Sequence, residues 1–138
     1  MKKYLILFTT IIALDLSFKQ FALWQCPETV AINRGISWSL ITPESTSGFV
    51  AISLVIALFV ALFMIYTWIR FRHNEPILAE LFICSGAFAN LLDRPMHGGV
   101  VDFIALGFCG YQWPLFNLAD IAIVTGVLAV LAREVYKK

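Results

Sequence analysis

The chain has 138 residues, of which 60% are hydrophobic and 14% are charged, and its mean hydropathy is +0.83. A soluble domain of this length needs a more polar surface, so the composition excludes an ordinary soluble protein. The net charge is only +1, and the basic residues form short groups without a patch or stripe, which excludes nucleic acid as a partner.

The apolar residues come in four blocks, each long enough or nearly long enough to cross a bilayer. The predicted helices cover residues 4–24, 49–69, 76–92 and 113–132, with outer loops at 25–48 and 93–112. We therefore expect one membrane domain over residues 1–138, an all-α integral membrane protein with four transmembrane helices. Asp15 and Lys19 interrupt the first block and no small-x-small cleavage site follows it, so we expect a retained helix rather than a secretory signal.

The basic residues predict the orientation. Seven of the ten Lys and Arg lie in three segments that four spans would bring to one side of the membrane. These residues are Lys2, Lys3, Arg70, Arg72, Arg133, Lys137 and Lys138. The positive-inside rule makes that side cytoplasmic, so both termini are expected inside and both long loops outside.

Three predicted helices bring polar groups to a common depth. From a rise of about 1.5 Å per residue and a core of about 30 Å, Lys19, Asn90 and Asp120 all fall roughly 7–9 Å below the outer surface. Ionisable groups in a bilayer are costly and tend to mark function. This layer is therefore the candidate site.

Each polar residue also has a structural interpretation. Asp15 and Lys19, four residues apart on one helical face, either neutralise each other or support a site. Asn90 could join helices, and Asn117 could cap the outer end of the fourth helix. Asp120 is predicted two turns inside a spanning helix with no basic residue at helical spacing, so it needs a partner from elsewhere or a proton.

That partner is expected from the second outer loop, which carries Asp93, Arg94 and Asp102. Residues 100–104 form a short extended pattern after the Gly98-Gly99 turn, and an unpaired backbone cannot face lipid. We therefore expect this segment to pair with part of the first outer loop. The resulting small extracytoplasmic β element would lower Asp102 toward Asp120.

Two carboxylates in a poorly hydrated site share a proton, so that one acts as general base and the other as general acid. This is the equipment for peptide hydrolysis. Arg94 and the amides of Asn90 and Asn117 could hold substrate carbonyls or the developing charge.

The sequence offers no metal site. His73 and His97 are predicted on opposite sides of the membrane, and the three cysteines have no ligand spacing. Cys84 is expected to be a packing residue inside the third helix. Cys26 and Cys109 both fall on the outer side, and a disulfide between them is left open.

Several segments together resemble lipoprotein signal peptidase (signal peptidase II). GAFANLLDR at 86–94, followed by GGVVDF at 98–103, looks like the family's third-helix signature, and WPLFNLAD at 113–120 is similar to its other signature. Asp15 and Lys19 resemble its D-x-x-x-K pair, and Asn33 with Gly35 matches its N-x-G element. The topology agrees, so the resemblance covers nearly the whole chain.

The resemblance implies a metal-free aspartyl endopeptidase without a cofactor, with Asp102 and Asp120 as the catalytic dyad. Its substrate would be a diacylglyceryl-modified prolipoprotein, cut immediately before the lipid-bearing cysteine. Asp15 and Lys19 would support the site, and four residues would position substrate: Asn33, Asn90, Arg94 and Asn117. The protein would lie among the lipids of the bacterial cytoplasmic (inner) membrane with its site toward the outer face, and we expect a monomer.

The chain also departs from the family's pattern. Ile36-Ser37-Trp38 stand where Ala-Ala-Phe is usual, Ala89 stands where Gly is usual, and Pro95 and Gly99 replace residues that are commonly larger or basic. These departures concern specificity more than chemistry, because every matched polar residue remains.

Two other functions also predict acids within a membrane protein. A small transporter or proton relay predicts acids at staggered depths across the bilayer, whereas the inner half contains only Glu80. An inactive paralogue that binds lipidated precursors without cutting them is the other alternative, and retention of Asp102 and Asp120 argues against it.

Overall fold

The computed structural model describes residues 1–35 and 42–136 of the chain. In these ranges it has the helices α1 (Lys2–Gln25), α2 (Thr46–Arg72), α3 (Leu78–His97) and α4 (Leu118–Tyr136). It also has the strands β1 (Ala31–Asn33), β2 (Val100–Asp102), β3 (Gly107–Phe108) and β4 (Tyr111–Gln112), with a short 3₁₀ turn at Pro27–Thr29. Two features of the sequence, the Ile36-Ser37-Trp38 departure and the Lys137-Lys138 pair, lie outside the described residues.

Helix α3 is the centre of the molecule and packs against each of the other three helices. Two glycines allow α3 and α4 to approach closely. A Cβ at Gly86 of α3 would overlap the carbonyl oxygen of Ala119, and one at Gly126 of α4 would come within 2.6 Å of the carbonyl oxygen of Ala79. Small residues at such crossings are typical of helix packing in membranes.

The distribution of polarity is inverted relative to a soluble protein. Lys19, Glu80, Asp15 and Asp93 are at most 1% exposed, whereas large apolar side chains on the helices face outward. The outward-facing side chains include Leu5, Ile6, Leu54, Leu58, Phe59, Val124 and Leu128, each half exposed or more. Such a surface is stable in lipid and not in water, so the structure is that of a membrane protein. Two helices, α1 and α2, are long and apolar enough to cross a membrane.

The predicted β element is present. Strand β1 from the first outer loop pairs antiparallel with β2 from the second, with Ala31 opposite Asp102 and Asn33 opposite Val100. A glycine is needed at position 99, just before β2, because a Cβ there would come within 2.8 Å of the carbonyl oxygen of Asn33. A hairpin, β3–β4, was not predicted; the bridge between Ile104 and Phe116 lies at its base.

The structure corrects two predicted helix ends. The third helix continues past Leu92 to His97, because its last polar residues are buried by the β element and its stop is Gly98 (φ 72), whose N–H bonds to the carbonyl of Arg94. The fourth helix begins at Leu118 rather than Trp113. The residues before it are extended, since Phe116 pairs with Ile104 and the N–H of Trp113 bonds to Leu106.

The second helix also begins earlier than expected, at Thr46 instead of residue 49. Ser45 is its N-cap and its hydroxyl accepts a hydrogen bond from the N–H of Gly48 at 3.1 Å.

Candidate active site

The start of α4 is organised by a reciprocal capping pair. The side-chain oxygen of Asn117 accepts a hydrogen bond from the N–H of Asp120 at 2.9 Å, and the Asp120 carboxylate accepts one from the N–H of Asn117 at 3.2 Å. This is the geometry of a capping box. Asp120 therefore lies in the first turn of α4, not two turns inside it, and the structural role expected for Asn117 as a helix cap is present.

Asn117 also contacts the other candidate carboxylate. Its amide nitrogen donates to Asp102 at 2.7 Å and to the carbonyl of Val101 at 3.3 Å, and its side chain is fully buried. One asparagine thus hydrogen-bonds to Asp102 and Asp120 at the same time.

Asp102 is held at the end of β2 in a shielded position. The residue is 4% exposed, and the Asn33 amide donates to its second oxygen at 3.2 Å. Burial, followed by the nearby negative charge of Asp120, raises the pKa of Asp102 to about 6, while the hydrogen bonds from Asn33 and Asn117 oppose the rise. Asp102 can therefore exchange a proton near neutral pH.

Lys19 is the buried cation behind these carboxylates. Its ammonium lies 2.6 Å from Asp15 and 2.7 Å from Asp93, and it donates to the side-chain oxygen of Asn90 at 2.8 Å. The Asn90 amide in turn donates to Asp120 at 2.9 Å. All three ammonium protons have acceptors, as burial of a charge requires. The structure thus brings Lys19, Asn90 and Asp120 together, the three residues assigned to one layer.

The two carboxylates beside Lys19 each hold a backbone element of the site. Asp15 accepts from the N–H of Ala119 at 2.8 Å, so α1 supplies a cap for the first turn of α4. Asp93 accepts from the N–H of Val101 in β2 at 3.1 Å. Lys19 therefore stabilises the supports of both Asp120 and Asp102.

Arg94 fixes the first outer loop against the helices. Its guanidinium donates to the carbonyls of Gly35 and Arg34 at 3.2 and 2.9 Å and to the Ser53 hydroxyl at 2.9 Å. It also lies over the ring of Phe49, 4.9 Å from the centroid. All of these contacts are within the chain.

A cavity of about 260 Å³ opens over the two aspartates. Its polar wall is formed by Asn33, Asn90, Arg94, Asp102 and Asp120. Its apolar wall includes Ile56, Leu91, Val100 and Ile123. An apolar groove that ends at two carboxylates is suited to an apolar ligand with one polar group to be attacked.

The sequence analysis placed Asp93 in the second outer loop as one candidate partner of Asp120 and did not predict its contact with Lys19, because the third helix was expected to end at Leu92. If the helix is continued, Asn90, Asp93, Arg94 and His97 follow at spacings of three and four residues, which would have placed them on one face. His97 Nδ1 lies 3.4 Å from the Asp93 carboxylate. Contacts of Ser53 with Arg94 had no signal in the sequence.

A second buried ionic cluster lies at the other end of the helices. Glu80 of α3 contacts Arg70 of α2 at 3.2 Å and Arg133 of α4 at 2.7 Å. Glu80 lies near the start of α3, whereas the aspartate site lies near the end of α3. This cluster therefore holds the helices together at the end away from the site.

The two outer cysteines, Cys26 and Cys109, are free and exposed, so the disulfide left open by the sequence is not formed.

Comparison with known proteins identifies the family of this chain. The family model for signal peptidase (SPase) II matches residues 6–136. A lipoprotein signal peptidase from Francisella tularensis subsp. novicida is 34% identical and the match covers 99% of this chain and 93% of that protein. A lipoprotein signal peptidase from Syntrophomonas wolfei is 40% identical over 75% of this chain and 64% of its own length.

Two solved structures, each described as a bacterial membrane enzyme, share the fold. One has a TM-score of 0.75 at 19% identity, covering 99% of this chain and 89% of its own. The other has a TM-score of 0.70 at 20% identity, covering 96% and 92%. The match of the family model over nearly all of the sequence decides the assignment: the chain belongs to the signal peptidase II family of peptidases.

Proposed function

We propose that this chain is a membrane aspartyl endopeptidase that removes the signal peptide from diacylglyceryl-modified prolipoproteins, cutting before the lipidated cysteine. Family membership and relatives that bear the name lipoprotein signal peptidase support the reaction class. The observation that carries the proposal is the joint contact of Asn117 with Asp102 and Asp120, both of which line one cavity.

In the proposed reaction the dyad holds one proton. The ionised carboxylate takes a proton from water, which attacks the scissile carbonyl, and the protonated carboxyl donates to the carbonyl oxygen. In the collapse of the tetrahedral intermediate, the carboxyl that took the water proton gives it to the leaving amine. The other carboxylate takes its proton back from a hydroxyl of the intermediate, so the dyad again holds one proton. The raised pKa of Asp102, about 6, supports this role because a carboxyl of ordinary pKa holds no proton at neutral pH.

The neighbouring residues have proposed roles that follow from their contacts. Asn90, Asn33 and Asn117 orient the two carboxylates. Asn33 and Asn90 line the cavity and can contact the substrate backbone, whereas Asn117 is fully buried and positions substrate only through the carboxylates that it holds. Arg94 positions substrate through the loop that it holds in the cavity wall. Asp15 and Lys19 support the site by fixing the first turn of α4 and the Asn90 amide.

We further propose that all four helices cross the bacterial cytoplasmic membrane, with both termini inside and the dyad toward the outer face. The charges of α3 and α4 that would oppose insertion are buried in ion pairs and hydrogen bonds. Exposed Trp and Tyr side chains lie near both ends of the helices, as in an aromatic belt. They are Trp24, Tyr111 and Trp113 at the site end and Tyr66, Trp68 and Tyr136 at the other end.

This placement suits the substrate. A diacylglyceryl group holds its cysteine at the outer boundary of the bilayer, where the dyad would lie, and the apolar wall of the cavity would face the lipid chains. Both aspartates and the Asn33, Asn90, Asn117 and Lys19 side chains come from one chain, so we propose a monomer as the active unit.

The test is cleavage of a lipidated precursor by purified protein. Asp102→Asn and Asp120→Asn should each lower the rate by about 10²–10⁴-fold or more, since each removes one partner of every proton transfer. The double variant should be no slower, because residues that act as a unit are not additive. Glu28→Gln is the matched control, as it neutralises an exposed carboxylate on the same side.

All variants should still insert in the membrane and bind the precursor, because the apolar wall of the cavity is unchanged. Cleavage near the parent rate by either folded aspartate variant would refute the dyad.

A further inference from the structure

The segment that joins the two aspartates has an unusual composition. Residues 103–117, FIALGFCGYQWPLFN, contain no charged side chain. They form the β3–β4 hairpin and its flanks, between the strand of Asp102 and the cap of α4. Outer loops in water normally carry charge, and a short exposed hairpin without it invites aggregation.

The hairpin has one apolar face. Phe108 lies opposite Tyr111 in the register, and the N–H of Trp113 bonds to the carbonyl of Leu106 at 2.8 Å, so these four residues form two cross-strand pairs, with the pair of Gly107 and Gln112 between them. Side chains of directly paired residues, and of residues two apart, point to the same side of a strand pair. Leu106, Phe108, Tyr111 and Trp113 are 57%, 82%, 81% and 51% exposed. The opposite face carries Gly107 and Gln112.

A two-residue turn joins the two strands of the hairpin. Cys109 and Gly110 at the tip both have positive φ, 49 and 81. This is the pattern of a two-residue turn of the I′ kind, whose twist matches that of the strands. The four side chains therefore project as one patch.

We propose that this patch, Leu106, Phe108, Tyr111 and Trp113, inserts in the interfacial layer of the outer leaflet and anchors the hairpin to the lipid surface. Trp and Tyr favour this layer because each combines an apolar ring with a polar group that stays hydrated. Phe and Leu bury further into the acyl boundary. The absence of charge removes the usual cost of such insertion, and α4, which follows the hairpin in the chain, also carries exposed apolar side chains.

The anchor has a consequence for the site. Because the hairpin connects β2 directly to the start of α4, its depth in the membrane fixes the height of Asp102 and Asp120 relative to the lipid surface. The position of the scissile bond is determined by the substrate's own lipid anchor, so cleavage requires the two aspartates to stay at a constant height. The inference rests on the membrane orientation proposed above and adds the hairpin as the element that sets the height.

The test measures the depth of the hairpin tip. In a Cys26→Ser, Cys84→Ala protein, Cys109 is the remaining cysteine and is exposed, so it can carry an environment-sensitive fluorophore. The protein is placed in phosphatidylcholine–phosphatidylglycerol vesicles. We expect strong quenching by phospholipids spin-labelled near the headgroup and weak quenching by aqueous iodide. In the double variant Phe108→Ser/Tyr111→Ser, quenching by the spin-labelled lipids should become weak and quenching by iodide strong. Gln112→Ala, on the opposite face, is the matched control and should behave as the parent.

The remaining outcomes decide between occupants. Lipid quenching that appears only after a precursor is added would assign the face to substrate, and lipid quenching that rises as the protein is diluted in lipid would assign it to a second copy; either would overturn the anchor. Equal access of iodide to the parent and the double variant would also overturn it. Depth is measured without turnover, so an anchored hairpin in a protein that cuts no precursor would refute the proposed function and leave this inference intact.

Discussion

Asn117 couples the two aspartates through opposite ends of one amide. Its oxygen accepts from the Asp120 N–H, and its nitrogen donates to Asp102. A side chain with both a donor and an acceptor is required, so neither Asp nor Leu could replace it. The bond from the Asp120 N–H is also part of the cap of α4. The same side chain therefore determines where the helix begins and how the two aspartates are held.

Asn33 provides a way to test the titration of Asp102. Its amide donates to the Asp102 carboxylate, which stabilises the ionised form and lowers the pKa from the value that burial alone would give. Asn33→Ala should therefore raise the pKa of Asp102 above about 6. In the pH profile of kcat/KM, the limb near pH 6 should move to higher pH, whether Asp102 is the base or the acid.

The position of that limb, and not the height of the profile, is the measurement, since Asn33 can also affect substrate binding. Glu28→Gln should leave the limb in place. A limb that stays at the parent pH in Asn33→Ala, or moves to lower pH, contradicts the assignment of the limb to Asp102.

Residue identities were readable from the sequence because polar groups in apolar blocks are rare. Asp15, Lys19, Asn90 and Asp120 could be selected on that ground alone. Their partners could not: the Lys19–Asp93 contact joins residues 74 positions apart in sequence. Only packing of α1 against α3 brings them together.

At the scale of elements, the α3–α4 crossing sets the position of Asp120. The Gly86 position faces the carbonyl of Ala119, in the first turn of α4. Gly86→Ala should thus displace that turn, although Ala favours a helix more than Gly does. We expect a destabilisation of about 1–3 kcal/mol from overpacking. The loss of cleavage should be on the order of 10²-fold, since small displacements of a catalytic group are costly.

Gly107→Ala is the comparison for this variant, because its Cβ would meet the Tyr111 carbonyl oxygen at an ordinary 3.5 Å. Thermal unfolding in detergent and precursor cleavage are measured for both. If Gly86→Ala proves more stable than the parent with unchanged cleavage, the close crossing does not control the site.

Element ends were the least predictable feature. The hydrophobic pattern predicted that the third helix ends at Leu92. In the structure the helix continues through Pro95 to His97, since the β element shields its polar last turn. The predicted start of the fourth helix at Trp113 would place Pro114 in its first turn, where proline is common, although the fixed φ of proline suits extended backbone equally well. The cap at Asn117 decides the start.

At the scale of the whole molecule, charge is inside and apolar surface is outside. Two ionic clusters close the two ends of the helix group: Lys19 with Asp15 and Asp93 at one end, and Glu80 with Arg70 and Arg133 at the other. The central residue of each cluster, Lys19 or Glu80, is at most 1% exposed. Its removal would leave two like charges without their partner, which is strongly destabilising.

The proposed orientation can be tested by thiol labelling of intact cells. In a protein with Cys26 and Cys109 replaced by Ser, Ser47→Cys should react with an impermeant thiol reagent and His73→Cys should not. Both positions are exposed, and they lie at opposite ends of α2. As the control, His73→Cys should react once the cells are opened. Labelling of His73→Cys but not Ser47→Cys in intact cells would show that the orientation is the reverse of the one proposed.

The sequence by itself determined the membrane class, the four helical blocks, the pairing of two outer loop segments and the polar residues from which the candidate site was predicted. These depend on composition and on local patterns, which act along the chain. Tertiary structure alone decided the Lys19–Asp93 contact, the true ends of α3 and α4, the engagement of Arg94 with the first outer loop and the apolar face of the β3–β4 hairpin. Each of these depends on which surfaces meet, and buried polar groups must find their hydrogen-bond partners wherever packing brings them.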